Sequence, residues 1–289
     1  MRTKQPITNG GDPKTDMSPG FLVIAVGGAG KNSALTVKKQ HQAAGSPFPL
    51  TRTTLDTDKT SFAEFDFAID IAPTQEAVSA LAANPHRYGP ACRAIVQYHP
   101  DLLHSETLGH GARTSRPVSQ AGVELFGDRI VKGLREAIHS LLRQGQCHCI
   151  IPVVLTSLGG GTGSAAAVLL LSIFMDPVKK RQIVLGLPPD LVARPVLFCI
   201  DGYSHALMQT NDVAPDWILT NIYATRVELA EYEKRGTGYE YVFHVGLGND
   251  SGSIFSTIEQ VCEVNGQLCW DCRDQHNDCA LDTHFSSPN

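Results

Sequence analysis

No apolar run in this sequence is long enough to cross a bilayer. The longest, Ala165–Met175, is interrupted by Ser172 and falls well short of the roughly 20 residues a membrane helix needs. The opening stretch, MRTKQPITNGGDPKTDMSP, is polar and proline-bearing and lacks the apolar segment of a secretory signal. Charge of one sign is also scarce. A formal net charge of −5 over 289 residues argues against a dominant surface for nucleic acid or anionic lipid. No internal repeat is visible. A P-loop is excluded as well: it needs glycine at position 25 and Ser or Thr after Lys31, where the chain has Ala25 and Asn32. These absences predict a cytoplasmic protein with no nucleic-acid partner and no membrane insertion. Without a secretory context, the eight cysteines read as free thiols, with Cys199 in PVLFCI a small buried hydrophobe.

What is present is a sizeable core. The chain is 42% hydrophobic and 18% charged, enough for one large domain or two small ones. FLVIAV (21–26) is a continuous apolar run bounded by glycines, the form of a strand buried on both faces. GGAGKNSALTVKKQHQ opens a helix that fades by Gly45, and TRTTL (51–55) is a second strand ending in the acidic turn DTD. FDFAIDI (65–71) is a weaker strand, followed by helix from Thr74 into the nineties. Over 122–144, Val123, Phe126, Ile130, Leu134, Ile138 and Leu141 recur at three and four spacing, which predicts one amphipathic helix. CIIPVVLTSL (149–158), helix 165–175, strand RPVLFCI (194–200), helix 215–235 and strand YEYVFHVGL (239–247) complete the alternation. Pro152 favours starting its strand just after it. Alternating strands and helices predict an α/β fold: a doubly wound, mostly parallel sheet with helices on both faces.

In such a sheet ligands sit where strand passes into helix. Two of these points carry glycine clusters, VGGAGKNS after the first strand and LGGGTGSA after the VVL strand. A helix N-terminus presents unpaired N–H groups and partial positive charge, so it attracts phosphate. Glycines leave no Cβ between those amides and the phosphate oxygens, and Thr162 and Ser164 add hydroxyls. The rival explanation, a tight turn serving only packing, is weakened by there being two such turns on one sheet edge. A dinucleotide fingerprint is partly matched: Gly28, Gly30 and Ser33 give G-x-G-x-x-S, with Asp56 ending the next strand. The third glycine is missing, and GGGTGS is left unexplained.

GGGTGS after an apolar strand resembles the signature of the tubulin/FtsZ superfamily, whose glycine-rich turn and helix end cradle GTP phosphates. VIAVGGAGKNS resembles that family's first nucleotide loop, with Gly27, Gly28, Gly30 and Asn32 in place and Ala29 and Lys31 where glycine is usual. LDTDKTS resembles the second loop, which puts Asp56, Thr57 and Asp58 near the phosphates and Mg²⁺. LGHGARTSRP resembles the third, γ-phosphate-sensing loop through Gly109, Gly111 and Ala112, and VGLGND offers Asn249 as the base-reading residue. NIYATRVEL (221–229) looks more like divergent bacterial tubulin-like proteins than like FtsZ itself.

The resemblance spans about residues 20–260 and implies a nucleotide-binding domain over 20–265. A polar tail (1–19) precedes it and a Cys/His/Asp-rich tail (266–289) follows. It implies GTP or GDP as ligand, held by the amides of Gly27–Gly30 and of Gly159, Gly160, Gly161, Thr162, Gly163 and Ser164. Mg²⁺ would lie at Asp56 or Asp58, with Lys31 reaching phosphate. It also implies self-association or pairing with a related tubulin-like subunit. Asp201 is a ribose candidate by position, and Arg113 and Arg116 are either phosphate-neutralising or solvated loop cations. The family's acidic catalytic loop and second domain are not found in the residues after Asn249, so hydrolysis is not expected of this chain alone. A non-hydrolysing scaffold and a dinucleotide-binding oxidoreductase are the alternatives. In the tail, Cys269, Cys272, His276, Cys279 and His284 have ligand chemistry for zinc, but their spacing matches no zinc module, and a degenerate C-terminus is preferred.

Overall fold

The computed structural model describes residues 18–98, 100, 112, 115–145, 147–201 and 215–246. The first apolar run becomes β1 (Ser18–Val26), and the reason is visible in its alternation. Leu22, Ile24 and Val26 face one core, while Val23 and Ala25 face another. A strand covered on both sides has no polar face to show, so its sequence reads as unbroken hydrophobe. The remaining strands are β2 (Leu50–Asp56), β3 (Phe67–Asp70), β4 (Cys147–Ser157), β5 (Val196–Asp201) and β6 (Tyr241–Gly246). All neighbouring pairs are parallel. Their order is β3-β2-β1-β4-β5-β6, the doubly wound α/β arrangement whose direction of winding reverses between β1 and β4.

Helix α1 (Gly27–Ala43) lies on the Val23/Ala25 face. Its buried stripe is Gly27, Gly30, Lys31, Ser33 and Ala34, and apart from Lys31 these are small residues that let its axis approach the sheet closely. A Cβ on Gly30 would collide with the Leu155 carbonyl oxygen of β4. The opposite face carries α5 (Gly127–Gln144), α6 (Gly161–Met175) and α7 (Pro177–Ile183). In α5 the apolar stripe is real: Ile130, Leu134, Ile138 and Leu141 are completely buried on the side that packs against β1, β2 and β3. Helix α6 is apolar all round because it is covered all round, by α4 (Arg116–Leu125), α8 (Pro215–Lys234), β1 and β4. It turns 89° into α7 and lies in the core. Among the described residues no single helix is long and apolar enough to cross a membrane.

Three sequence expectations are corrected. The helix expected over 122–144 is two helices, α4 and α5, divided at Phe126, whose φ of −112° and ψ of 23° end the first; its N–H caps Gly122 O. Gly122 is pressed onto the Ile71 carbonyl, which holds α4 on a separate axis. The helix expected from Thr74 into the nineties is α2 (Gln75–Ala83), a 3-10 turn at Pro85–Arg87 and α3 (Pro90–Tyr98), since neither proline can donate the helical hydrogen bond. The open N-terminus of α3 is closed by the Glu124 carboxylate, which accepts from Ala91 N at 2.8 Å and Cys92 N at 3.2 Å. Burial, then that same carboxylate, pushes the Cys92 thiol up to about 12.

The third correction concerns Pro152, which lies inside β4 rather than ahead of it. Ile150 directs its N–H to Leu191 O and its C=O to Ala193 N. Two residues on, Pro152 faces the same side, where the ladder with β5 begins only at Val153–Val196. Its missing N–H therefore falls at a gap in pairing, and the β1 ladder on the other side runs through unbroken.

Cys92, Cys147, Cys149 and Cys199 are free thiols. Gly30→Ala and Gly163→Ala should each cost about 2 kcal/mol in urea unfolding, because overpacking against a carbonyl outweighs alanine's better helix propensity. Unchanged midpoints would show that the helices are not seated on the sheet in this way.

Candidate phosphate-binding site

The two glycine turns leave β1 and β4, adjacent parallel strands, so both emerge at the same edge where the winding reverses. Gly27 takes φ +68° to swing the chain from β1 into α1, a conformation other residues adopt only with strain. Gly160 is extended (φ −76°, ψ 154°) and precedes α6. The turns abut: a Cβ on Gly27 would lie 3.5 Å from Gly163 N and 3.6 Å from the Thr162 Cβ. Neither helix has a side-chain N-cap or an acid in its first turn. Thr74 on α2 and Asp176 on α7 do cap with side chains, while α4 and α5 also lack a side-chain cap. The first helical bond of α6 is Ser164 N–H to Gly160 O, which leaves the amides of Gly161, Thr162 and Gly163 ahead of it.

The glycines divide by what the fold demands of them. Gly30 faces the Leu155 carbonyl, and Gly163 faces the Ser157 carbonyl and Thr156 Oγ1. Gly159 is pressed by Ile218 Cγ2, 2.8 Å from where its Cβ would stand. Gly28 is exposed with nothing within 4 Å of its Cβ position, and the nearest atom to that of Gly160 is Ser157 O at 3.8 Å. Packing explains the first group and leaves Gly28 and Gly160 without a structural reason.

Between the turns sits Asp56 at the end of β2, almost completely buried. Its Oδ1 accepts from Thr57 N at 2.7 Å and Thr162 Oγ1 at 3.1 Å. Thr57 Oγ1 lies 3.2 Å from Thr162 Oγ1 and accepts from Ala112 N at 2.9 Å. A carboxylate can only accept and an amide can only donate, so the protons run one way: Ala112 N–H to Thr57, Thr57 to Thr162, Thr162 to Asp56. Asp56 Oδ2 pairs with Lys31 Nζ at 2.9 Å. That ammonium also donates to Asp58 O and Thr60 O, both at 2.9 Å, and lies 3.5 Å from Asp58 Oδ2. The Asp58 carboxyl is held below its ordinary range, first by the Thr60 backbone N–H and then by the Thr60 hydroxyl and Lys31.

The structure thus brings together Gly27, Gly28, Ala29, Gly30, Asp56, Thr57, Ala112 and residues 159–164. Asn32 is exposed on α1. The Lys31 donors go to the 56–60 loop, not to the glycine amides. Ser164 Oγ is buried and donates back to Gly161 O at 3.0 Å. Arg116, expected as a phosphate-neutralising or solvated cation, is nearly buried and pairs with Glu228 on α8 at 2.7 Å. Gly109, Gly111, Arg113, Asn249, the Asp201 side chain and the tail cysteines and histidines lie outside the described residues. As a Mg²⁺ site the donor set does not fit: both Asp56 oxygens hold protein donors, and of the Asp58 carboxylate Oδ1 accepts from Thr60 N and Oγ1 while Oδ2 faces the Lys31 ammonium at 3.5 Å. Among the described residues no cluster of three His, Cys, Asp or Glu could hold a metal.

Sequence reasoning missed the support behind the second turn. Asn221 Nδ2 donates to Gly159 O at 3.0 Å, and Thr225 Oγ1 reaches Ser164 O at 3.2 Å and Asn221 O at 2.7 Å. The spacing of Asn221, Thr225 and Glu228 along one face of α8 was the available signal. It also missed Ser115 Oγ, Arg116 Nε and Ser119 Oγ, buried atoms at the start of α4 without a hydrogen-bond partner among the described residues.

Removing one member of a buried ion pair strands the other charge. Lys31→Ala should therefore cost roughly 3–5 kcal/mol by urea unfolding, and Lys31→Met with Asp56→Leu should recover most of that loss. Additive losses in the double variant would mean that the two groups do not act as a pair.

No protein-family profile matches the chain, and no curated protein matches it. Among solved structures it is similar to CetZ2 from Haloferax volcanii, determined as a GTPγS-bound protofilament, at 16% identity and a TM-score of 0.44. The alignment covers 78% of this chain and 49% of CetZ2, so the chain spans about half the length of that protein.

Proposed function

We propose that this chain binds a guanine nucleotide, GTP or GDP, as a tubulin/FtsZ-like nucleotide-binding domain. Its phosphates lie against the amides of Gly27–Gly30 and Gly159–Ser164. The observation that carries this reading is the pair of abutting helix N-termini, uncapped and free of acids, in which Gly28 and Gly160 have no packing role. Backbone N–H groups with no Cβ in the way are what an anion needs. The choice of guanine rests on the GGGTGS signature and on the order of the four loops along the sequence. Asn249 reads the base, and head-to-tail association with a second copy or a related subunit follows from the same resemblance.

Turnover is not assigned to this chain. Phosphoryl transfer to water needs a group that orients the water. Asp56, the acid that reaches the second turn, is committed to Lys31, Thr57 and Thr162. The chain binds nucleotide, and hydrolysis would require an acid from another subunit. The strand order and the G-x-G-x-x-S spacing also suit a dinucleotide. In that fold, however, the acid ending β2 accepts from a ribose hydroxyl, whereas both Asp56 oxygens already accept from protein groups.

Equilibrium binding of GTP, ATP and NAD to purified protein tests the reading. Gly28→Ala and Gly160→Ala should leave stability within about 0.5 kcal/mol while GTP affinity falls about tenfold or more. A folded wild type that ignores GTP overturns the reading, and one that prefers NAD restores the dinucleotide alternative.

A further inference from the structure

The surroundings of Lys31 have the composition of a metal site. Four oxygens surround Nζ: Asp56 Oδ2, Asp58 O and Thr60 O at 2.9 Å, and Asp58 Oδ2 at 3.5 Å. Carboxylates and carbonyls contributed by one short loop are the ligands that hard cations take. Here they close on a primary ammonium carried by the second turn of α1, nearly buried at 4% exposure. An ammonium has three protons, and three acceptors stand at 2.9 Å, so its donors are all used. The Phe62 ring, 5.7 Å from Nζ, adds its electron-rich face.

We infer that Lys31 is the resident cation of this site, occupying the oxygen cage that Asp56, Asp58 and Thr60 would otherwise offer to a divalent ion, so that nucleotide phosphates bind here without a protein-coordinated metal. This rests on the nucleotide reading above. The electrostatic need is plain. Asp56 hydrogen-bonds through Thr162 to the first turn of α6, and a bare carboxylate there would repel phosphate. Most nucleotide sites relieve such repulsion with a mobile divalent ion; a lysine bonded into the fold relieves it permanently. A divalent ion entering the cage would also meet the ammonium at contact distance, and Lys31 cannot swing away without giving up three hydrogen bonds in a buried position.

The test uses two readouts on the whole protein. GDP affinity is measured with Mg²⁺ and with excess chelator, and free Mn²⁺ is followed by electron paramagnetic resonance with wild type and with Lys31→Met. We expect GDP affinity to agree within about twofold between the two conditions. Mn²⁺ should stay free with wild type, and about one ion should be captured by Lys31→Met through the vacated oxygens. A fall of about tenfold or more in GDP affinity on chelation, or stoichiometric Mn²⁺ binding by wild type, overturns the inference. So does a folded Lys31→Met that takes up no Mn²⁺. If Lys31→Met does not fold, the two wild-type measurements decide alone. If wild type binds no GDP at all, the nucleotide reading fails by itself, and the Mn²⁺ comparison still judges the role given to Lys31.

Discussion

Two contacts between backbone and backbone set the rest of this molecule in place. Gly30 of α1 rests on the carbonyl of Leu155, and Gly163 of α6 rests on that of Ser157. Both carbonyls belong to β4, so one strand seats a helix on each face of the sheet through glycine against backbone. Such close seating brings the first turns of α1 and α6 side by side at the reversal of the winding. It also fixes how far Lys31, one residue past Gly30, projects toward the end of β2. A methyl group at either glycine would lift a helix and pull the two turns apart.

The polar cluster built on that platform is expensive in isolation and stable in company. Burying a lysine and an aspartate costs several kcal/mol for each ion, and their attraction repays this only when the remaining hydrogen-bond capacity is filled. Here it is filled: Lys31 has three strong acceptors, and Asp56 has donors on both oxygens. The 56–60 loop supplies most of these groups, and so its conformation is dictated from inside by the lysine. The same economy recurs at α3, where Glu124 closes a helix terminus, and at α8, where Glu228 meets Arg116.

Much of the architecture was legible because periodicity records burial. The unbroken run of β1 and the stripe of α5 say which faces are covered, and alternation of strands with helices says that the sheet is parallel. Both glycine turns could be located from sequence as well. What could not be read were events decided by three-dimensional neighbours. The apolar spacing passes straight through Phe126, while the chain bends there because Gly122 is caught on Ile71. Pro152 looks like a strand boundary until the gap in pairing beside it is seen. Lys31 next to a glycine turn suggests a phosphate contact, yet its partners lie in the 56–60 loop far along the chain and two of the four are backbone carbonyls, which leave no mark in sequence. Thr162 and Ser164 look like ligand hydroxyls, and the fold uses both. Asn221 and Thr225 are ordinary helix residues until the turn they support is in view.

The one-way run of protons from Ala112 through Thr57 and Thr162 to Asp56 has a consequence for what the site can perceive. A hydroxyl free to rotate can greet a visitor as donor or acceptor. These two have lost that choice, because turning either one breaks the hydrogen bond it donates. The main-chain N–H groups of Gly161, Thr162 and Gly163 precede the first helical bond of α6, and they speak in one sense. Groups that can only donate pair with lone pairs and not with other hydrogens.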